Sequence, residues 1–388
     1  MNAIYPLKGV VKNYDWGGSN YIPQLLLEEN LQGVPQAEYW MGIHPQGVAS
    51  VGLSNGEWIS LAELSVPIPF LLKVLDVKDM LSIQVHPNKA NAKFEFDREN
   101  KLGIPLDAPT RNYKDDNHKP ELMVALSEFW LLHGFRTYDS LIKQLEAVQE
   151  LHSLLPVFRE KSYEGLYRLV MEMHQAQVDQ LLLPLRDRIV PLYEKGLLQR
   201  AQPDFWAARA FLTFHQQGHA DRGIFSVYFF NLVQVQPGQA VFQDAGIPHA
   251  YLEGQNVEIM ANSDNVLRGG LTNKHIDVTE LLKHVRCAGV DPVILPASNR
   301  KESWFQTPVE DFSLGQLQLG KGEELTLVVE KPTLFLCMKG EAILQAGGRS
   351  VELKPGQPAA FCSKEVSLTI NTLEDALIFR ATDGIHNR

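Results

Sequence analysis

The sequence predicts a mainly β protein with a helical insertion, and three observations carry that prediction. Runs that alternate apolar and polar residues occupy both ends of the chain, as in Leu81-Ser82-Ile83-Gln84-Val85-His86, and alternation at period two marks a strand with two unlike faces. Between about 137 and 218 the apolar residues recur at three- and four-residue spacing, the period of an amphipathic helix. A short motif, Val235-Gln236-Pro237-Gly238-Gln239 leading to Phe242, returns as Leu353-Lys354-Pro355-Gly356-Gln357 leading to Phe361. Each copy reads as a turn between strands, so the repeat favours two related barrels or jelly rolls. The expected units are a discontinuous barrel over 1–136 and 219–290, an all-helical insertion over 137–218 and a second barrel over 291–388.

Composition bounds the function. A chain of 388 residues has room for about two or three domains. Its net charge of -10 argues against nonspecific nucleic-acid binding, while a local Lys/Arg cluster still permits an anionic small substrate. The longest apolar runs are too short to span a bilayer, and Met1-Asn2-Ala3-Ile4-Tyr5-Pro6 lacks the pattern of a signal peptide. Cys287, Cys337 and Cys362 have no metal-binding spacing and leave one over from any pairing, which suits reduced core thiols in a cytoplasmic protein.

Taken in order, Asn13-Tyr14-Asp15-Trp16-Gly17-Gly18 is a turn-rich segment with aromatic anchors, and Glu38 to His44 alternates again. Val51 to Ile59 holds an Asn-Gly hairpin signal. The apolar run Phe70 to Leu75 precedes the strand that carries Gln84 and His86, which Pro87 ends near a barrel mouth. A long polar loop from about Asn88 to Asn117 contains a short helix from Ala90 to Lys101. In the helical stretch, Leu141, Ile142, Leu145, Val148, Leu151 and Leu155 form one apolar stripe, with Pro156 and Pro184 as punctuation. His152, His174, His215 and His219 fall there without ligand spacing and read as surface or packing residues. Strand character returns at Val227 to Val235, and the last hundred residues are again short strands.

Ser82, Gln84 and His86 project from one face of their strand, so an amide and an imidazole reach a common point. A Gln-x-His triplet alone is commonplace on solvated edge strands; its significance comes from partners elsewhere. Glu121 opens a strand in His118-Lys119-Pro120-Glu121, His249 stands at a strand end in Pro248-His249-Ala250, and Asn262 to Gly270 is a dense polar loop. Two His, one Glu and one Gln make a borderline nitrogen and oxygen site suited to zinc, with iron or manganese as alternatives. His44 and His118 also remain candidates on spacing. At the same offset from the repeated turn, His249 meets Ser367, so the second barrel is expected to lack the ligand.

Seven segments carry a resemblance: Tyr14-Asp15-Trp16-Gly17, Glu38 to Pro45, Phe70 to Leu75, Leu81 to Lys89, Arg111 to Glu121, Pro248 to Leu252 and Glu258 to Lys274. In this order, up to about Asp277, the chain resembles the type I mannose-6-phosphate (phosphomannose) isomerases; the helical stretch and the tail match in layout more than in letters. The resemblance implies a catalytic cupin barrel, a helical domain and a second, metal-free cupin barrel. It implies one zinc ion held by Gln84, His86, Glu121 and His249, and Arg268 as the active-site arginine. It further implies conversion between mannose 6-phosphate and fructose 6-phosphate through a cis-enediol, which needs ring opening and one base serving two carbons. Glu258 is the first choice for that base, with Lys119 and His249 for ring opening and Asp264 in support. Lys73, Ser82, Arg268 and Lys274 are expected to grip the phosphate, and Trp16 and Tyr251 to line the sugar site. The only expected partner is a small sugar phosphate, with no membrane and the chain a monomer. Gly269 and Asn273 stand where the family often has Ala and Pro, and are expected to loosen the loop that presents Lys274. A cupin oxygenase and a noncatalytic sugar-binding cupin are the alternatives, separated by zinc content and turnover.

Overall fold

The computed structural model describes residues 3–214, 218–363 and 366–384; His215 lies outside them. The chain is mainly β, with one group of consecutive helices between the strands Phe129–Phe135 and Phe230–Val235. Those helices run from Tyr138–Ala147 to Ile224–Phe229. The segment expected to start a strand at Val227 is therefore helical up to Phe229. Ile224, Phe225, Val227, Tyr228 and Phe229 are all buried in the helical core, and this packing overrides their strand propensity. Pro156 stands in the first turn of the helix Leu155–Glu172, while Pro184 lies inside the continuous helix Gln175–Glu194. Among the described residues, no helix is long and apolar enough to cross a membrane.

The strands form an eleven-stranded, an eight-stranded and a four-stranded sheet. The eleven-stranded sheet folds over on itself through one long strand, His249–Ala261. Its first half pairs with Phe129–Phe135 and its second half with Phe70–Val77 and Glu121–Ala125. Gly254 sits at the changeover with φ +131, and a Cβ there would stand 2.8 Å from the Glu128 carbonyl oxygen. Only glycine suits both the backbone and the space.

Alternation then decides what each face does. Ala250, Leu252, Ile83, Val85 and Leu267 pack outward on the helices. Leu72, Val74, Leu122, Val124, Val257 and Ile259 pack outward on Phe312, Leu314, Leu334, Leu336 and Phe379 of the C-terminal strands. The residues between them face the space enclosed by the fold. One end of that space is apolar, filled by Leu75, Met123, Phe129, Leu131, Val241 and Tyr251 with Trp16 against them.

A separate core of Leu327, Val329, Leu344, Leu353, Leu368 and Ile370 lies between the eight- and four-stranded sheets. Ser367 is exposed and points away from it. The strand Pro358–Phe361 stands at the same offset from Ala240–Gln243 as the repeated turns, whose Gly238 and Gly356 share a positive φ of +83 and +79.

Candidate active site

The strand around Gln84 is shorter than its alternation suggests. Only Gln84–Val85 is strand, and His86 follows in the loop before Pro87. The two residues nevertheless lie in a ladder that organises the site. Gln84 is directly opposite His249 on one side and Arg268 on the other. Opposed residues share a face of the sheet, so all three side chains leave the same surface. Ser82 precedes the ladder, half-buried and outside any strand.

His86, Glu121 and His249 converge, all buried, with one donor atom from each within 4.8 Å of the others. Glu121 Oε2 lies 3.6 Å from His86 Nε2 and 3.3 Å from His249 Nε2. Each ring is aimed from behind. His86 Nδ1 hydrogen-bonds the Asn265 carbonyl at 2.8 Å, and His249 Nδ1 the Ile247 carbonyl at 3.0 Å. Donation from Nδ1 leaves the Nε2 lone pairs facing one another across the carboxylate. His86 Nε2 is buried with no hydrogen-bond partner among the described residues. Burial pushes the His86 imidazole down to about 4, despite the opposing Glu121 charge, so at neutral pH it is an uncharged donor. Burial alone would raise Glu121, but Lys119, His86 and His249 outweigh it and hold the carboxyl well below the usual range. A buried lone pair with no partner, two oriented imidazoles and an ionised carboxylate fit a borderline divalent cation, with the Gln84 amide beside them.

The second wall of the space carries the charged groups. Lys119 Nζ lies 3.1 Å from Glu121 Oε1. Lys73 forms an ion pair with Glu258 and lies 3.9 Å from Glu38 Oε2. Burial would lower Lys73, but the two carboxylates overcome it and hold the ammonium above the usual lysine range. The Tyr251 hydroxyl donates to Glu258 Oε2 at 2.7 Å, across the bend in the strand that carries both. Burial raises Glu258 against the opposing pull of Lys73.

The remaining expected residues lie at the rim or away from it. Asp264 is 3.5 Å from His44 Nε2 and accepts from the Gln46 amide at 2.8 Å. His44 is buried and engaged by Asp264, and His118 bonds Asp311 at 2.8 Å, so neither joins the three-donor cluster. Arg268 is half-buried and makes no ion pair among the described residues. Lys274 is exposed, its ammonium lowered by the surrounding protein and by the Arg268 charge. Trp16 stacks with Tyr14 at 5.8 Å and covers the apolar end of the space. Around Gly269 the loop that presents Lys274 is held by backbone hydrogen bonds. The Gly269 amide donates to the Ile83 carbonyl, the Ile83 amide to the Gly270 carbonyl, and a Cβ on Gly269 would stand 2.7 Å from the Tyr167 hydroxyl.

Several further polar residues were given no role from the sequence. Glu38 and Trp40 hydrogen-bond each other beside Lys73. His133 stands opposite His249, and Gln243 opposite Glu121, both buried and both with side-chain atoms lacking partners. A second cluster, Glu95, Glu280 and His284, is a salt-bridge network instead, because Arg98, Lys283 and the Tyr113 hydroxyl engage Glu280.

Comparison with known proteins points in one direction. A model of the catalytic domain of phosphomannose isomerase type I matches residues 4–138. Mannose-6-phosphate isomerase of Escherichia coli is 34% identical over 93% of this chain and 95% of its own length. The human protein of that name is 31% identical over 97% and 98%. The crystal structure of the Salmonella typhimurium mannose 6-phosphate isomerase, bound to fructose 6-phosphate and zinc, superposes with a TM-score of 0.87 at 32% identity, covering 99% of this chain and 100% of that one.

Proposed function

The chain belongs to the type I mannose-6-phosphate isomerase family, and from that premise we propose that it interconverts mannose 6-phosphate and fructose 6-phosphate with one zinc ion. The observation that carries the reading is the convergence of His86, Glu121 and His249 around a buried, unpartnered Nε2. Gln84 completes the set from the neighbouring ladder position. Zinc in this set supplies Lewis-acid polarisation of the sugar carbonyl.

The protein's own groups do the rest. Glu258, its carboxyl raised by burial, takes a proton from one of two adjacent carbons and returns it to the other by way of a cis-enediol. Tyr251 and Lys73 fix its two oxygens, so the base has one orientation. Lys119 and His249 serve ring opening, with Asp264 in support. Arg268 offers a planar fork of donors to the charge that develops on the sugar oxygens. Lys274 at the rim, with Ser82, receives the phosphate, while Lys73 is committed to two carboxylates and faces the base. Trp16 closes the apolar end of the sugar site.

The same reading takes the folded-over sheet as one cupin barrel, the eight- and four-stranded sheets, which include the N-terminal strands Ile4–Lys8, Ser50–Gly52 and Trp58–Ser60, as a second, and the intervening helices as an all-α domain, in a cytoplasmic monomer. The core between the eight- and four-stranded sheets supports a second barrel, and three free cysteines suit a reducing compartment. A coupled assay of mannose 6-phosphate conversion, with and without a chelator, tests the function directly.

A further inference from the structure

One contact joins the C-terminal strands to the segment that carries Lys119 and Glu121. Asp311 lies between the strands Glu302–Phe305 and Ser313–Leu319, next to Phe312, which is fully buried in the core shared with Leu122, Val124 and Ile259. Its carboxylate receives His118 Nε2 at 2.8 Å, with the two side chains 17% and 14% exposed. The His118 hydrogen bond is the leading reason that the Asp311 carboxyl lies below its usual range. Lys89 approaches at 3.6 Å but is largely exposed, and such a pair contributes little.

His118 begins the run His118-Lys119-Pro120-Glu121. Proline fixes its own φ, and the Pro120 carbonyl accepts from the Ala261 amide at 3.2 Å. A displacement at His118 therefore passes to Lys119 and Glu121 with little slack. We propose that Asp311 is a positioning residue for the isomerisation, holding His118 so that the Lys119 ammonium and the Glu121 carboxylate stay aligned with His86 and His249. The C-terminal strands thereby complete a site whose other residues lie outside them. This rests on the isomerase reading above.

The test uses Asp311→Ala, Asp311→Asn, His118→Ala and the Asp311→Ala/His118→Ala pair in the full chain. The readouts are kcat and KM for mannose 6-phosphate, zinc affinity by competition with a chelator, and thermal unfolding. Asp311→Ala should lower kcat about tenfold or more with KM within about twofold, the scale seen when a group orienting a metal-site residue is removed. Asp311→Asn keeps an oxygen acceptor for Nε2 and should recover most of the loss, and the double variant should be no worse than His118→Ala alone. A kcat for Asp311→Ala within twofold of the parent, equal losses in Ala and Asn, or additive losses in the pair overturn the proposal. If Asp311→Ala does not fold, Asp311→Glu replaces it: reduced kcat supports the proposal and unchanged kcat overturns it. If the parent chain does not turn over mannose 6-phosphate, the isomerase reading falls and the zinc competition decides. Weakened affinity in Asp311→Ala, not weakened further in the pair, then supports positioning of Glu121, and unchanged affinity overturns it.

Discussion

His86 donates its Nδ1 proton to the backbone carbonyl of Asn265 at 2.8 Å, while the Asn265 side chain ties down the loop that leads to Glu121. Asn265 Oδ1 accepts from the Lys114 amide at 2.7 Å, and Nδ2 donates to the carbonyls of Asp115 and Asn117, each at 2.8 Å. One buried asparagine thus sets the ring of a metal-facing histidine and the approach of a metal-facing carboxylate.

Asn265→Ala leaves the Lys114 amide and two carbonyls without partners in a largely shielded loop. We expect a loss of about 2–4 kcal/mol in stability and about tenfold in zinc affinity. Denaturant unfolding and chelator competition measure the two. Parent-like values in both would show that His86 is oriented by something else.

Chelation should abolish isomerisation, and Zn²⁺ should restore it. His86→Ala and His249→Ala each remove a neutral nitrogen donor and should reduce bound zinc, while Gln84→Ala, which removes a weaker oxygen donor, should reduce it less. Metal analysis of the purified variants is the check. Full turnover in a verified metal-free preparation would sink the zinc assignment.

Arg268→Ala should cost on the order of a hundredfold or more in kcat, the scale of losing one preorganised donor to a developing charge. Zinc content should stay unchanged, because an arginine side chain is no ligand. Arg268→Lys keeps a charge but loses the fork and should not rescue. A raised KM with near-normal kcat would assign Arg268 to ground-state binding.

Proton transfer through a cis-enediol predicts exchange with solvent. Product formed in D₂O should carry deuterium at the carbon that receives the proton, and Glu258→Gln should suppress both exchange and turnover by about a hundredfold or more. Turnover in Glu258→Gln at the parent rate would move the base elsewhere.

The helices carry a pH dependence of their own. Glu150 accepts from Arg188 at 2.8 and 3.1 Å, and these bonds are the leading reason that its carboxyl lies below the usual range. A carboxyl depressed in the folded state contributes stability above its unfolded value, lost as pH falls through the folded one, so the loss should set in below roughly pH 4.5. Glu150→Gln should flatten the fall in melting temperature between roughly pH 5 and pH 2 relative to the parent. Parallel curves for the two proteins would remove Glu150 from the account.

Much of this site was legible because strands alternate. Gln84 faces inward because Ile83 and Val85 face outward, as the letters show, whereas Glu121 was read as a strand-start carboxylate and Glu258 followed from the resemblance. Asp264 and Arg268 were legible as members of a dense polar loop. Asp311, His133 and Gln243 were not, because single polar residues in apolar surroundings acquire neighbours only when distant strands pair. The helix over Ile224–Phe229 was hidden for a related reason, since its aromatic and β-branched residues favour a strand until the helical core claims them.

The strand Ile4–Lys8 lies between Pro358–Phe361 on one edge and Ser50–Gly52 on the other. During synthesis, Ile4, Tyr5 and Pro6 must wait for Phe361, Ala360 and Ala359 to emerge before that edge can close. Contacts of such separation are slow to form, and an unpaired edge invites a strand from another chain in the interval. The nascent polypeptide therefore carries an open edge until Pro358–Phe361 has emerged, and over that interval lower temperature and chaperones should favour the native pairing.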